Sequence, residues 1–343
     1  MYAICTILKF EHDYINQFIE HHLNIGFDSF YIIIDNLDFK QAEYINVIHD
    51  KFFKYIKLFN LDKSFDEQLY INLKINKCST HSYWIKYFNQ IVLPEVKEDW
   101  LLMIGGDSFL YLDGKNINEY MNNILTVNNN IFQVAFPWLA GYNLDNKPID
   151  NFCNEINKLH FQYHNHTYGM GKVSNIEYLD ESSHYFVPKT REQIIYIPEN
   201  IILNMGKQIN AFDIFKNNKF NINENSNVFA LHVQLRNYDE IIIKDLYSWN
   251  MCNDDRRSLL NSLLTQNNTS NFISNTKAFR LNYILNNSCT KIKEKQLNVA
   301  NNNFINLNKY NKTVIMELLK SINIKYEQYE LFINTLIASR YNK

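Results

Sequence analysis

Asp107 stands in the run WLLMIGGDSF (100–109), directly after an apolar stretch of strand length. A carboxylate there is placed to ligate a hard divalent cation, Mn2+ or Mg2+, or to cap the turn that follows; the pattern leaves both open. Gly105 and Gly106 would let a phosphate, or an unusual backbone turn, come close. His184, in DESSHYF, is a further candidate ligand, because Mn2+ accepts imidazole nitrogen. His160, His164 and His166 form an HxxxHxH cluster without a carboxylate at a zinc-site interval, and we read it as a flexible substrate loop. His232 and Arg236 follow an apolar run in ALHVQLRNYDEIIIK. If that segment turns into a helix, Arg236, Glu240 and Lys244 share one face, where Arg and Lys grip phosphate or form a ladder of ion pairs. A general base would come from Asp145, Asp150, Glu177, Asp180 or Glu181. Spacing does not choose among them, and Asp180 and Glu181 stand as the catalytic candidates.

The elements that must hold these groups are legible at the N-terminus. AICTIL (3–8) reads as a buried strand, and Ile15, Phe18, Ile19, His22 and Leu23 recur at helical spacing. Gly26 is placed to close that helix. FYIII then reads as a second buried strand, ending at Asp35 and Asn36. Strand, helix and strand in this order predict a βαβ unit, with its ligands at the carboxyl ends of the strands. KYIKLFNL is a third strand, residues 66–93 a mostly helical crossover with Tyr83, Tyr87 and Ile91 on one face, and WLLMI a fourth strand. IFQVAFPW is another, followed by a polar loop to about residue 171. GKVSNIEYL reads as strand, and VFALHV (228–233) is the last strand of this body. Residues 259–288 and 313–338 read as helical, the latter with an apolar stripe from Ile315 to Leu336. The expected division is therefore a body of residues 1–250 and a mainly helical extension of residues 251–343 packed on it.

Composition narrows the function classes. Among 343 residues 46% are hydrophobic, 15% aromatic and 20% charged, the profile of a globular chain. The net charge of −2 supplies no field for nucleic acid. The extension carries 13 Lys/Arg against 6 Asp/Glu, so peripheral contact with anionic lipid is compatible with it. The five cysteines (Cys5, Cys78, Cys153, Cys252, Cys289) form no CxxC pair, which argues against a zinc knuckle or a disulfide scaffold. No signal-like start and no apolar run of about 18 residues is present, so no transmembrane segment is predicted and a cytoplasmic location is expected. KFEHDY stands where a dinucleotide-binding GxGxxG would, which disfavours an oxidoreductase.

Four blocks in order resemble the family-92 and related family-2-like glycosyltransferases. In the opening ILKFEHDYINQFIEHHLNIGFDSFYIIIDN, Lys9, Glu11, Glu20, His22, Gly26, Asp28, Asp35 and Asn36 match, while Phe10 replaces the usual Asn. WLLMIGGDSFLYL is similar to a strand ending in Asp-x-Asp-Glu-Phe: Asp107 falls on the second Asp, Gly105 on the first and Ser108 on the Glu. GKVSNIEYLDESSHYFVPK resembles a stretch that implies Lys172 and a metal-ligating His184. LHVQLRNYDEIIIKDLY resembles a His-Tyr-x-x-Arg-Ser-x-Glu-Glu segment, implying His232, Arg236, Glu240 and Lys244. The resemblance covers about residues 1–248. It implies an α/β glycosyltransferase A-type fold, a mixed and mainly parallel sheet flanked by helices. It also implies a UDP-sugar donor with Mn2+ or Mg2+ at Lys9, Glu11, Asp35, Asn36, Gly105, Gly106, Asp107, Lys172, His232, Arg236 and Lys244. The metal would be held by Asp107 and His184, and the acceptor would be a glycan, lipid or protein hydroxyl. With the first Asp of the motif replaced by Gly105, the alternative is a degenerate transferase fold acting in binding or scaffolding.

Overall fold

The computed structural model describes residues 1–37, 44–76, 80–143, 149–152, 155–180, 184–190, 193–198, 201–205, 226–240, 243, 310–321 and 325–341. The chain opens with β1 (Tyr2–Leu8), α1 (Ile15–Asn24) and β2 (Ser29–Asp35), and β1 and β2 pair in parallel from Ala3↔Ser29 to Leu8↔Ile34. After the short α2 (Tyr44–Val47), β3 (Ile56–Leu61) extends the sheet beyond β2, again in parallel. The chain then crosses back to β4 (Trp100–Met103), which lies parallel to β1 on its other side. Further on come β5 (Ser108–Leu112), β6 (Gln133–Tyr142), β7 (His160–Lys172), β10 (Gln193–Ile197), β11 (Ile201–Met205) and β12 (Val228–Leu235). The path through the sheet is β11-β10-β6-β7-β4-β1-β2-β3, and β12 joins it by pairing with both β6 and β5. β7 runs antiparallel between β4 and β6, so the sheet is mixed. A separate hairpin of β8 (Ile176–Leu179) and β9 (Phe186–Pro188) lies beside it.

Alternation along the strands divides the core into two layers. Tyr2, Ile4 and Leu8 of β1 and Phe30, Ile32 and Ile34 of β2 pack with α1 and with α5 (Ile117–Val127). Ala3, Cys5, Tyr31 and Ile33 face the crossover, where Tyr83, Trp84, Tyr87, Phe88 and Val92 are buried. The crossover is helical as expected, through α3 (Glu67–Ile75) and α4 (His81–Tyr87). Ile91, however, is exposed rather than on the buried face. A π turn at Phe88–Val92 widens the helix there and rotates the stripe onto Phe88 and Val92.

Residues 160–171 are strand, not the polar loop the His- and Asn-rich sequence led us to expect. Gly169 and Gly171 mark places where other chain comes close: a Cβ would lie 2.6 Å from the His184 carbonyl oxygen at the first and 2.7 Å from the Phe186 ring at the second. GKVSNIEYL is broken by a short 3-10 turn at Val173–Asn175, so only its last part forms β8. The C-terminal segment is two helices, α6 (Tyr310–Ser321) and α7 (Tyr326–Tyr341), rather than one. Val314, Ile315, Leu319, Tyr329 and Ile333 are buried, and the Tyr329 hydroxyl donates to Asp239 Oδ1 at 2.7 Å. Residues 259–288 and the expected boundary at residue 250 lie outside the described residues.

α1 ends as its glycine predicted. Gly26 has φ +96, its N–H reaches the Leu23 carbonyl and the Phe27 N–H reaches that of His22, which together form a Schellman motif. The same helix turns two imidazoles inward. His21 Nε2 lies 2.8 Å from the Leu110 carbonyl, and His22 Nε2 accepts the Leu110 N–H at 3.3 Å. These side chains satisfy peptide groups on the side of β5 away from β12, which would otherwise be buried without a partner. Burial holds His21 neutral, lowering its pKa to about 4, and also drives His22 well below its usual value. A base depressed in the folded state takes up its proton preferentially on unfolding. The His21 contribution to stability should therefore be full above pH 6.5, fall as pH drops from 6.5 to about 4, and level off below. Glutamine keeps a donor for Leu110 but does not titrate, so His21→Gln should flatten this slope in urea unfolding. An unchanged slope would show that the imidazole is not its source.

Candidate functional site

The strand connections reverse direction at β1. The chain leaves β1 for β2 on one side and returns through β4 on the other, so the carboxyl ends of β1 and β4 flank a topological switch point, where open α/β sheets bind ligands. Two loops meet there. Residues 9–11 follow β1, and the turn 105–108 links β4 to β5, closed by the Ser108 N–H on the Gly105 carbonyl at 3.0 Å. Because backbone closes this turn, the Asp107 carboxylate is not required as its cap. Gly106 is where the loops touch: a Cβ would sit 2.4 Å from Leu8 Cδ2 and 3.3 Å from Glu11 Cγ. Its missing side chain makes room for the strand-end neighbours.

The first loop turns at Phe10, whose φ of +70 lies in the left-handed region. Asn tolerates this conformation better than Phe. The turn lets the Glu11 carboxylate accept the Lys9 N–H. Lys9 Nζ in turn lies 3.3 Å from Asp35 Oδ2 at the end of β2, and the other Asp35 oxygen accepts the Leu37 N–H. Asn36 bonds through its N–H to Leu61 of β3.

Asp107 is buried and faces β12. Its carbonyl accepts the Val233 N–H at 2.9 Å, and Oδ2 lies 3.8 Å from His232 Nε2. His232 Nδ1 is 2.8 Å from the Tyr168 hydroxyl, which is 2.9 Å from Ser108 Oγ; Ser108 in turn reaches Asp107 Oδ1 at 3.4 Å. Trp138 stacks on His232, with ring centroids 4.6 Å apart. Tyr168 and Trp138 carry no signature in the sequence, and Ser108 was marked there only as a departure from the resembling motif; the pairing of β7 with β6 and of β5 with β12 brings them here.

Arg236 ends the cluster. It is fully buried, pairs with Glu240 through Nε at 2.7 Å and through Nη2, and sits 3.6 Å above the Tyr14 ring. Burial opposes its charge, yet Glu240, Tyr14 and Asp107 outweigh that and raise its pKa. The i,i+4 pairing anticipated on a helix is thus an interior ion pair, not a surface ladder. Nη2 also lies 3.9 Å from Glu11 Oε1, tying β12 to the first loop.

Of the other residues singled out from the sequence, His184 borders this cluster. His184 packs against Trp138, Tyr168 and His166, and burial among these rings lowers its pKa to about 3. The imidazole that forms a pair with the Asp107 carboxylate is that of His232. Asp180 bonds through its N–H to the carbonyl of Tyr185, the neighbour of His184. Lys172 pairs with Trp100, at the amino end of β4 and so at the opposite end of that strand from Asp107. Glu181 and Lys244 lie outside the described residues. Among the described residues no group of three or more His, Cys, Asp or Glu forms a metal cage. The Asp107–His232 pair offers one oxygen and one nitrogen, a donor set that fits Mn2+ or Mg2+ only when phosphate oxygens and water complete the shell. A second, open depression of about 370 Å3 lies away from this crevice, lined by His21, Asn24, Leu110, Lys115, Asn116 and Glu119.

No family model matches the chain, and no curated protein matches it by sequence. Among solved structures it is similar to S. aureus TarS 1–349, with 9% identity over 83% of this chain and 78% of that chain and a TM-score of 0.29. The same TarS fragment in complex with UDP gives a TM-score of 0.28, and TarS itself 0.27 over 47% of its length, each at 9% identity and 83% of this chain. Scores this low describe a distant likeness and carry no argument about the site.

The place of Gly105 is already full. A Cβ there would lie 2.7 Å from Asp107 Oδ1 and 3.1 Å from the Tyr168 hydroxyl. Gly105→Ala should therefore lose about 1–3 kcal/mol through overpacking. Gly105→Asp should lose at least as much, because it sets a second carboxylate beside the first. Urea unfolding of both variants checks this, and wild-type stability in either would show that the turn has room.

Proposed function

We propose that this chain is a glycosyltransferase of the A-type fold, transferring a sugar from a nucleotide-sugar donor, UDP-hexose, to a hydroxyl of a glycan, lipid or protein. The observation that carries the reading is the convergence of Lys9, Glu11, Asp35, Asp107, His232 and Arg236, from separate parts of the chain, at the switch point between β1 and β4. Asp35 and Asn36, at the end of β2, are the groups proposed to receive the nucleoside. Asp107, with His232 beside it, would hold a divalent ion shared with the diphosphate, and such an ion neutralises the charge of a departing phosphate. Arg236 Nη1 has no hydrogen-bond acceptor among the described residues, and the guanidinium holds a buried positive charge 3.9 Å from Glu11. Asp180 and Glu181 remain the proposed bases for the attacking hydroxyl, His184 a proposed metal ligand, and Lys172 and Lys244 proposed donor contacts.

A second reading, a binding protein on a retired transferase fold, is favoured by Gly105, which stands where the resembling motif has its first Asp and where a Cβ would meet Asp107 Oδ1 at 2.7 Å. Two measurements separate the readings. Calorimetry with Mn2+ should show UDP bound in preference to GDP and CMP, and Asp107→Asn should weaken that binding at least tenfold without lowering stability. Equal, millimolar binding of all three nucleotides would remove the donor site. Hydrolysis of a UDP-sugar by the wild type, lost in Asp107→Ala, supports the enzyme; UDP binding without turnover on any of a panel of donors and acceptors supports the binding protein.

A further inference from the structure

Asp107, Ser108, Tyr168 and His232 form a cluster of polar contacts. The Ser108 hydroxyl is within reach of Asp107 Oδ1 at 3.4 Å. Ser108 Oγ also lies 2.9 Å from the Tyr168 hydroxyl and 3.3 Å from His232 Nδ1. The Tyr168 hydroxyl is the nearer partner of His232 Nδ1, at 2.8 Å. With Nδ1 held there, Nε2 is turned to Asp107 Oδ2, 3.8 Å away. Tyr168 is held in turn by β7, and its ring packs against Trp138 at 4.7 Å while Trp138 stacks on the other ring partner, His232.

We infer that Tyr168 is a positioning residue: its hydroxyl is hydrogen-bonded to His232 Nδ1, and so fixes the imidazole with Nε2 turned to Asp107. Ser108 completes the arrangement by passing the same chain of hydrogen bonds to the Asp107 carboxylate. The inference rests on the reading of Asp107 and His232 as part of a donor site only for its effect on binding. The Tyr168–His232 contact is a property of the protein alone.

The test uses Tyr168→Phe, which keeps the ring and its packing and removes one oxygen; thermal melting confirms that the variant is folded. In protein labelled with 15N-histidine, the His232 Nδ1 shift should move in Y168F. The same shifts in both proteins would overturn the inference. For UDP binding, Y168F should weaken affinity about three- to tenfold, the worth of one hydrogen bond. In a His232→Ala background the same change should cost nothing further, because the hydroxyl then has no imidazole to hold. An equal loss in both backgrounds would show that Tyr168 acts on the nucleotide or the fold directly, and would also overturn it. Should the wild type bind no UDP, the proposed function fails while the 15N shifts still decide the role of Tyr168.

Discussion

Every polar group in the crevice depends on the parallel pairing of β1 with β4. That pairing, from Tyr2↔Trp100 to Cys5↔Met103, brings the loop after β1 and the turn before β5 to the same end of the sheet. A shift of one residue would turn Ile4 and Leu8 out of one core layer and Cys5 out of the other. The register is thus fixed by burial on both faces, and the Gly106 contact with Leu8 and Glu11 follows from it. What the apolar layers supply to function is the fixed separation of Lys9, Glu11 and Asp107.

Charge in this interior is handled by local neutralisation. Arg236 is buried with Glu240, Lys9 faces Asp35, and the imidazoles His21 and His22 are kept neutral while they bond the backbone of β5. A buried ion pair adds little net stability over an apolar pair, but removing one partner is costly because the other charge is left uncompensated. Arg236 reaches both Glu11 and Glu240, so it couples the first loop to the segment after β12. That segment also carries Asp239, which binds Tyr329 of α7, so the C-terminal helices are tied to the same turn.

The N-terminal half of this arrangement was legible because its signals are local. The spacing of Ile15, Phe18 and Ile19, the closing Gly26 and the apolar FYIII are each produced by short-range rules, and the βαβ unit followed from them. β7 was not legible: HFQYHNHTYGMGK has the composition of a loop, and its glycines record contacts with His184 and Phe186 that are distant in sequence. The candidate site divided the same way. Asp107, His232 and Arg236 stand out as charged groups after apolar runs, and the structure brings them together. Tyr168 and Ser108 are ordinary hydroxyls whose place beside His232 is set by strand pairing alone. His22 was matched through resemblance, and the structure gives it a structural task, accepting the Leu110 N–H.

A crystal structure determined after soaking with UDP and Mn2+ tests the central claim most directly. The account predicts the nucleotide at the carboxyl ends of β1, β2 and β4, with its base and ribose near Asp35 and Asn36 and its phosphates beside Asp107 and His232. Nucleotide bound instead in the depression lined by His21, Lys115 and Asn116, or a crevice that stays empty at saturating UDP, would contradict it.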